Sequence, residues 1–204
     1  MKISEIRNQL STRMPSIIGL GKTNVVLIPL VEKDDRLYLL FEKRASSIPQ
    51  GGEVCFPGGR INKDEKPQRA VLREVEEELG LPPHQVTLFG EFDLLHNYTD
   101  VTIHTFVGQI ANIDVENMTL QESEVAEIFL IPIDFLLENN PFVYEYSVVA
   151  DIKDDFPYHL VDSPHKYTWL KGSYNVPIWN YEGYCLWGIT ARIVRHFLDV
   201  FFNE

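Results

Sequence analysis

Three carboxylates on one face of a short predicted helix are the residues of this chain best suited to chemistry. Glu74, Glu77 and Glu78 follow a glycine pair, Gly58 and Gly59, which is predicted to form a tight turn. Because helical residues advance by about 100° each, the three carboxylates fall within one arc of the helix. Like charges at this spacing repel one another. A bound divalent cation such as Mg2+, which prefers oxygen ligands, would offset this repulsion. The pattern therefore predicts a metal site that handles a phosphate ester or anhydride.

Sequence signals mark both ends of this helix. Pro67 suits its first position, because the missing N–H would be unpaired there in any case. Gly80 suits the left-handed position after the last turn, and Pro82 with Pro83 prevents continuation. Glu76 falls on the far side and is predicted to be solvated. The buried stripe is predicted to comprise Val71, Leu72, Val75 and Leu79.

The segment from Gly59 to Leu81 fills every fixed position of the Nudix box, so the chain resembles the Nudix hydrolases. The resemblance implies an α/β fold, specifically the Nudix α/β/α sandwich with a mixed β-sheet, in which the box forms a loop-helix-loop. A mixed sheet between helices also suits the predicted order of elements. The box positions filled here are Gly59, Glu65, Arg73, Glu74, Val75, Glu77, Glu78, Gly80 and Leu81.

The resemblance also assigns roles and a metal, Mg2+ or Mn2+. Glu77 and Glu78 are the implied metal ligands, with Glu77 also counted among the catalytic residues. Glu74 is implied to act as a ligand or as the general base, and the Gly59 carbonyl is implied to reach the metal. Arg73 is expected to hold a catalytic carboxylate through a bidentate pair.

A further carboxylate is expected from a later loop. Glu124 is the preferred metal ligand among three candidates, the others being Glu122 and Glu127. The alternative is that these positions are outward-facing strand residues, because 122, 124 and 126 alternate on one face.

Two other segments resemble the coenzyme A pyrophosphatase branch of the Nudix family. Upstream of the box, Arg44, Ala45, Gly52 and the run 56–59 match its signature, and Trp187 to Arg192 matches the segment that ends the branch. The resemblance implies cleavage of coenzyme A to 4′-phosphopantetheine and adenosine 3′,5′-bisphosphate. The predicted substrate-binding residues are Arg44, Gly58 and Arg60.

The chain departs from that signature at residues 46–49, Ser-Ser-Ile-Pro, where an arginine is expected and the spacer is one residue short. This departure keeps two alternatives open. One is a Nudix hydrolase of another diphosphate, such as ADP-ribose, NADH or a nucleoside triphosphate. The other is a ligand-binding Nudix module without catalysis, against which the retained glutamates argue.

Composition limits the partners and the compartment. The 204 residues carry a formal net charge of −12, which argues against a nucleic-acid surface and leaves a small-molecule substrate. Without an apolar run near 18 residues or a signal-peptide start, no membrane association is expected. Two cysteines at unrelated positions fit a reduced, cytoplasmic protein. Family analogy would allow a homodimer.

One domain is predicted over 1–204, with an N-terminal helix and lead-in over 1–21 and a C-terminal helix over 183–202. The region 140–182 is aromatic and unperiodic, which predicts loops with one or two edge strands. A short helix is expected over 133–137. Strands are predicted over 23–30, 36–42, 86–95, 102–110 and 124–130.

Overall fold

The computed structural model describes residues 3–13, 16–19, 21–111, 113, 115, 118–161 and 167–202. Two compact units divide the chain: Met1–Val31 with Phe56–Gln121, and Glu32–Cys55 with Glu122–Glu204. Each unit combines helices with β-strands. The α/β class with a mixed sheet, predicted from the sequence, is confirmed.

The first unit contains the mixed pairing. Strand β1 (Lys22–Lys33) runs parallel to β6 (Val101–Ile110), and β6 runs antiparallel to β5 (Val86–His96). The short strand β4 (Gly58–Arg60) pairs antiparallel with the start of β1. The core-facing residues of β1 and β6 are apolar and buried, including Val25, Leu27, Ile28, Phe106 and Ile110.

Helix α1 (Ile3–Thr12) forms as predicted, but none of its residues is buried. Its apolar residues Ile3 and Leu10 are 86% and 65% exposed, so its amphipathic pattern does not correspond to a packed face.

Helix α2 (Pro67–Leu79) has the predicted ends. Pro67 is at its first position, and Gly80 closes it with φ 66° and ψ 16°. The closing glycine also lies against the segment that follows β6, because a β-carbon at position 80 would be 2.5 Å from the Thr119 carbonyl oxygen. The predicted buried stripe needs one correction: Ala70 is buried beside Val71, Val75 and Leu79, whereas Leu72 is only half-buried.

The second unit begins with β2 (Arg36–Arg44), which pairs antiparallel with both β3 (Val54–Cys55) and β7 (Val125–Pro132). Helix α3 (Ile133–Glu138) follows β7 directly. An antiparallel sheet then runs in the order β10 (Tyr184–Leu186), β9 (Gly172–Tyr181) and β8 (Phe142–Val148). One or two edge strands were expected within 140–182; β8 is an edge strand, whereas β9 is the central strand of this sheet. Residues 162–166 of this region lie outside those described.

The C-terminal helix α4 (Gly188–Phe201) starts later than predicted, because residues 184–186 form β10 instead. Its buried face packs against β9, and the Arg192 guanidinium lies 4.0 Å from the centroid of the Tyr174 ring. This cation–π contact gives part of the Trp187-to-Arg192 motif a packing role. Within the described residues, no helix is both long and apolar enough to cross a membrane.

Candidate active site

The glycine pair lies in a strand rather than in the predicted turn. Gly58 and Gly59 begin β4 and pair with Val26 and Val25 of β1. A β-carbon at Gly58 would collide with the Val25 carbonyl oxygen, and Gly58 has φ 152°, a conformation that side chains disfavour. The backbones can therefore approach this closely only because position 58 is a glycine.

The second glycine of the pair makes room for a catalytic candidate. A β-carbon at Gly59 would stand 2.5 Å from Oε2 and 2.7 Å from Oε1 of Glu74. The Glu74 carboxylate thus lies directly on the main chain of β4, and its side chain is only 12% exposed. The glycine that begins the box and a glutamate of its helix are therefore in contact.

Glu78 differs from the sequence expectation. It was expected beside Glu74 and Glu77 on a lateral face, but it is 3% exposed and belongs to the buried face of α2. Its Oε2 accepts a hydrogen bond of 2.8 Å from the Gly58 N–H. A buried carboxylate is costly without such a donor, so this bond ties the helix to β4. Glu76 is exposed, as expected.

Arg73 connects the remaining carboxylates. Its Nη1 donates to Glu74 Oε1 and to Glu77 Oε2, each at 2.9 Å. Its Nε and Nη2 donate to the two oxygens of Glu65, each at 3.0 Å. Nη2 also donates to the Arg60 carbonyl at 3.1 Å. The bidentate pair expected with a catalytic carboxylate is therefore made with Glu65 instead, while Glu74 and Glu77 share a single nitrogen.

These bonds shift the affected pKa values in opposite directions. Hydrogen bonds from Arg73, followed by the Asn62 N–H, hold the pKa of Glu65 below its usual range. The Glu65 hydrogen bond is the largest cause that raises the pKa of Arg73 above its ordinary value. Both groups therefore stay ionised at neutral pH, and the charge on Arg73 offsets the repulsion among the glutamates around it.

The carboxylates fit a magnesium-type ion whose coordination shell is completed by the substrate. Among the described residues, no three His, Cys, Asp or Glu groups already converge as a metal cage. Magnesium is usually held by one or two carboxylates together with substrate phosphates and water. Glu74 and Glu77 meet that requirement, because both carboxylates reach the same Arg73 nitrogen and Glu77 is 58% exposed.

Arg60, a predicted substrate-binding residue, borders an open cavity of about 300 Å3 in the first unit. Lys22 and Lys63 line the same cavity. Lys22 carries no local sequence signal of a site, because its proximity to Arg60 follows from the pairing of β1 with β4.

Two other predicted site residues belong to the second unit. Arg44 is half-buried, and its Nε donates to the Pro49 carbonyl at 3.3 Å. Glu124 is exposed in the turn 122–124, just before β7. Positions 122, 124 and 126 all face solvent, as the alternative expected, but 122 and 124 precede the strand. The Glu124 carbonyl accepts a hydrogen bond of 2.8 Å from the Ala45 N–H.

Glu127, the third loop candidate, has structural partners. Lys43 Nζ donates to Glu127 Oε1 at 2.9 Å, and the Tyr184 hydroxyl donates to Oε2 at 3.2 Å. The Tyr184 ring stacks on Phe129 with ring centroids 3.6 Å apart. Lys43, which precedes the predicted substrate-binding residue Arg44, is therefore held in an ion pair.

The chain belongs to the NUDIX domain family, whose model matches residues 21–149. Nudix hydrolase 3 of Caenorhabditis elegans is 38% identical over 116 residues, which cover 55% of this chain and 48% of that protein. The Mus musculus protein named peroxisomal coenzyme A diphosphatase NUDT7 is 34% identical over 141 residues, which cover 67% and 57% of the two chains.

A bacterial relative matches over more of its length. The uncharacterized Nudix hydrolase NudL of Citrobacter koseri is 30% identical over 173 residues, which cover 83% of this chain and 78% of that protein. By contrast, the chain spans only about half the length of the worm and mouse relatives. The family predicted from the box is confirmed.

Proposed function

We propose that this protein is a metal-dependent hydrolase that cuts the diphosphate bond of coenzyme A or its derivatives. The observation that carries the proposal is the shared contact of Glu74 and Glu77 with Arg73 Nη1, beside the main chain of Gly59. Two carboxylates held this closely, with one largely exposed, are suited to a divalent cation that also contacts substrate phosphate.

The protein side chains would divide the work as follows. Glu77 and Glu74 would hold the metal, with Glu78 and the Gly59 carbonyl as further proposed ligands. The bound Mg2+ or Mn2+ would neutralise diphosphate oxygens and lower the pKa of a bound water. Glu74 would accept the proton of the attacking water, a role that requires hydrogen-bond reach. The new P–O bond forms as the bond to the bridging oxygen breaks.

Arg73 would position the carboxylates and would not itself take part in the reaction. Its five hydrogen bonds fix Glu65, Glu74, Glu77 and the Arg60 carbonyl in one network. Partners of this kind orient ligand carboxylates and commonly change metal affinity or activity by about 10- to 100-fold when they are altered.

Coenzyme A as substrate is supported by the branch signature and by the name of the mouse relative. The signature residues Arg44 and Ala45 lie where β2 leads into the loop that joins it to β3. The two ends of this loop are hydrogen-bonded: the Gly52 N–H donates to the Arg44 carbonyl at 2.9 Å, and the Arg44 N–H donates to the Glu53 carbonyl at 3.0 Å. The spacer between the two halves of the signature therefore forms a closed loop in this chain. We propose Arg44 as a substrate contact.

Product analysis tests the proposal. Pure protein is incubated with coenzyme A, NADH, ADP-ribose and dATP, with Mg2+ or Mn2+, and with a chelator control. We expect 4′-phosphopantetheine and adenosine 3′,5′-bisphosphate from coenzyme A, loss of turnover with chelator, and recovery when metal is returned. Cleavage of another diphosphate instead would move the substrate assignment to the alternatives. The absence of cleavage of all four compounds would favour a ligand-binding module.

A further inference from the structure

The cavity beside the box is lined by basic residues, although the chain as a whole is acidic. Its volume is about 300 Å3, and the residues that line it include Lys22, Arg60 and Lys63 together with Thr23 and Asn62. No Asp or Glu is among the described residues that line it. In a chain with a formal net charge of −12, three cationic residues around one opening make the local charge favourable for an anion.

Strand pairing explains why these residues converge. Asn24 of β1 is opposite Arg60 of β4, and the Ile61 N–H donates to the Thr23 carbonyl at 3.0 Å. Directly opposed residues of an antiparallel pair share a face, and alternate residues along a strand do as well. Lys22 therefore lies on the same face as Asn24 and Arg60.

Hydrogen bonds connect the cavity to the carboxylate site. Arg73 donates to the Arg60 carbonyl at 3.1 Å, and Glu65, which is held by Arg73, accepts a hydrogen bond of 3.0 Å from the Asn62 N–H. The loop that carries Lys63 is therefore fixed directly by Arg73 at Arg60 and indirectly, through Glu65, at Asn62. Arg60 directly follows Gly59 in β4, and successive strand residues are about 3.3 Å apart. The cavity is therefore adjacent to the carboxylate site.

We propose that this cavity binds a phosphomonoester of the substrate that is separate from the diphosphate being cut. Lysine and arginine supply several N–H donors to phosphate oxygens, and charge-assisted hydrogen bonds of this type are about twice as strong as neutral ones. Asn62, which also lines the cavity, can add a neutral donor through its side-chain amide. An anion in the cavity also relieves the mutual repulsion of the three cations.

This inference rests on the proposed function and makes it more specific. In coenzyme A, the separate phosphomonoester is the 3′-phosphate of the adenosine. The cavity would then distinguish coenzyme A from dephospho-coenzyme A, ADP-ribose and NADH, which carry a diphosphate but lack this group. It would supply the phosphate-binding charge that the missing spacer arginine does not.

The test compares coenzyme A with dephospho-coenzyme A as substrates of the wild type and of the Lys22→Gln/Lys63→Gln double variant. We expect the ratio of kcat/KM for coenzyme A to that for dephospho-coenzyme A to fall by about tenfold in the variant, mainly through KM. A tenfold change corresponds to about 1.4 kcal/mol. Lys33→Gln is the matched control, because Lys33 is an exposed lysine at the opposite end of β1. An unchanged ratio in the double variant would overturn the proposal.

A binding measurement separates this inference from the proposed activity. Adenosine 3′,5′-bisphosphate and 5′-AMP are titrated calorimetrically into the wild type and the double variant. Tighter binding of the bisphosphate to the wild type, reduced by added salt and lost in the variant, supports the cavity even if no substrate is cut. Equal affinity of the wild type for the two nucleotides would overturn the inference, whether or not coenzyme A is hydrolysed.

Discussion

The main chain of Gly59 lies against the carboxylate of Glu74, so that a β-carbon at position 59 would stand 2.5 Å from Glu74 Oε2. The obstructing group is the end of a flexible side chain and can move aside. The adjacent Gly58 differs, because a β-carbon there would meet the Val25 backbone. Neighbouring glycines are thus required for different reasons, one for the carboxylate and one for the strand pairing.

Gly59→Ala should reduce diphosphate hydrolysis by roughly 100-fold while leaving the fold intact. The added methyl group displaces the Glu74 carboxylate, and a misplacement of about 1 Å at a catalytic group can cost this much. Steady-state kinetics gives the rate, and urea unfolding gives the stability. A Gly59→Ala enzyme with the wild-type rate would show that Glu74 does not have to occupy this position.

Gly58→Ala should instead destabilise the protein, by about 1–3 kcal/mol or more, because the methyl group is forced against backbone at an unfavourable φ. Thermal or urea unfolding measures this loss. If Gly58→Ala unfolds like the wild type, β4 can shift away from β1 at little cost, and the close approach has no stability role.

Glu77→Gln should lower the hydrolysis rate by at least about 100-fold, because it removes charge from the proposed metal site without changing the side-chain shape. Glu76→Gln is the control: it makes the same change one residue earlier on the same helix, at an exposed position. Metal titration of both variants should show weaker binding only for Glu77→Gln. Equal rates for the two variants would remove Glu77 from the site.

Arg73→Lys should lower activity by about 10- to 100-fold and weaken metal affinity. Lysine has a single ammonium group and cannot reproduce the bonds of the guanidinium fork to Glu65, Glu74 and Glu77. Arg69→Lys, at an exposed position one turn earlier on α2, is the matched control. Activity and metal titration are measured together, and a fully active Arg73→Lys enzyme would contradict the positioning role.

Glu124→Gln should reduce the rate by about tenfold or more if the turn before β7 supplies a further metal ligand. Glu122→Gln, in the same exposed turn, should change the rate by less than about twofold, since substitutions outside a site are usually close to neutral. Rates over a range of metal concentrations distinguish the two. The reverse order would transfer the role to Glu122.

The Lys43–Glu127 pair predicts a specific pH dependence of stability. The Lys43 hydrogen bond is the largest cause that holds the pKa of Glu127 below its ordinary 4.5, and the same bond raises the pKa of Lys43 above 10.5. The stabilisation is therefore present at neutral pH, fades in acid as Glu127 is protonated, and fades in strong base as Lys43 is deprotonated.

Glu127→Gln should accordingly be slightly less stable than wild type at pH 7, and the difference should disappear as the pH falls below about 4.5 through the lowered pKa. Urea unfolding at a series of pH values measures this difference. Glu145→Gln, an exposed position in β8, is the control and should show no such convergence. A difference that persists in acid would assign the effect to packing rather than charge.

The sequence alone determined the helix α2 and the chemical identity of the candidate site. Pro67 and Gly80 specify the ends of α2 through local backbone preferences, which act without any tertiary partner. The alternation and apolar content of the main strands likewise located them to within a few residues. The box itself identified the family, because its glycines, arginine and glutamates occur at fixed spacing.

Tertiary structure decided which of these residues meet. Helical periodicity placed Glu78 with the other glutamates, but packing of α2 against β4 buried it and gave it the Gly58 N–H. Gly58 and Gly59 read locally as a turn, yet pairing with β1 extends them into a strand. The cavity formed by Lys22, Arg60 and Lys63 depends on the same long-range register. Spacing along the chain specifies local conformation, whereas contacts between distant segments arise only when their backbones pair and their apolar faces pack.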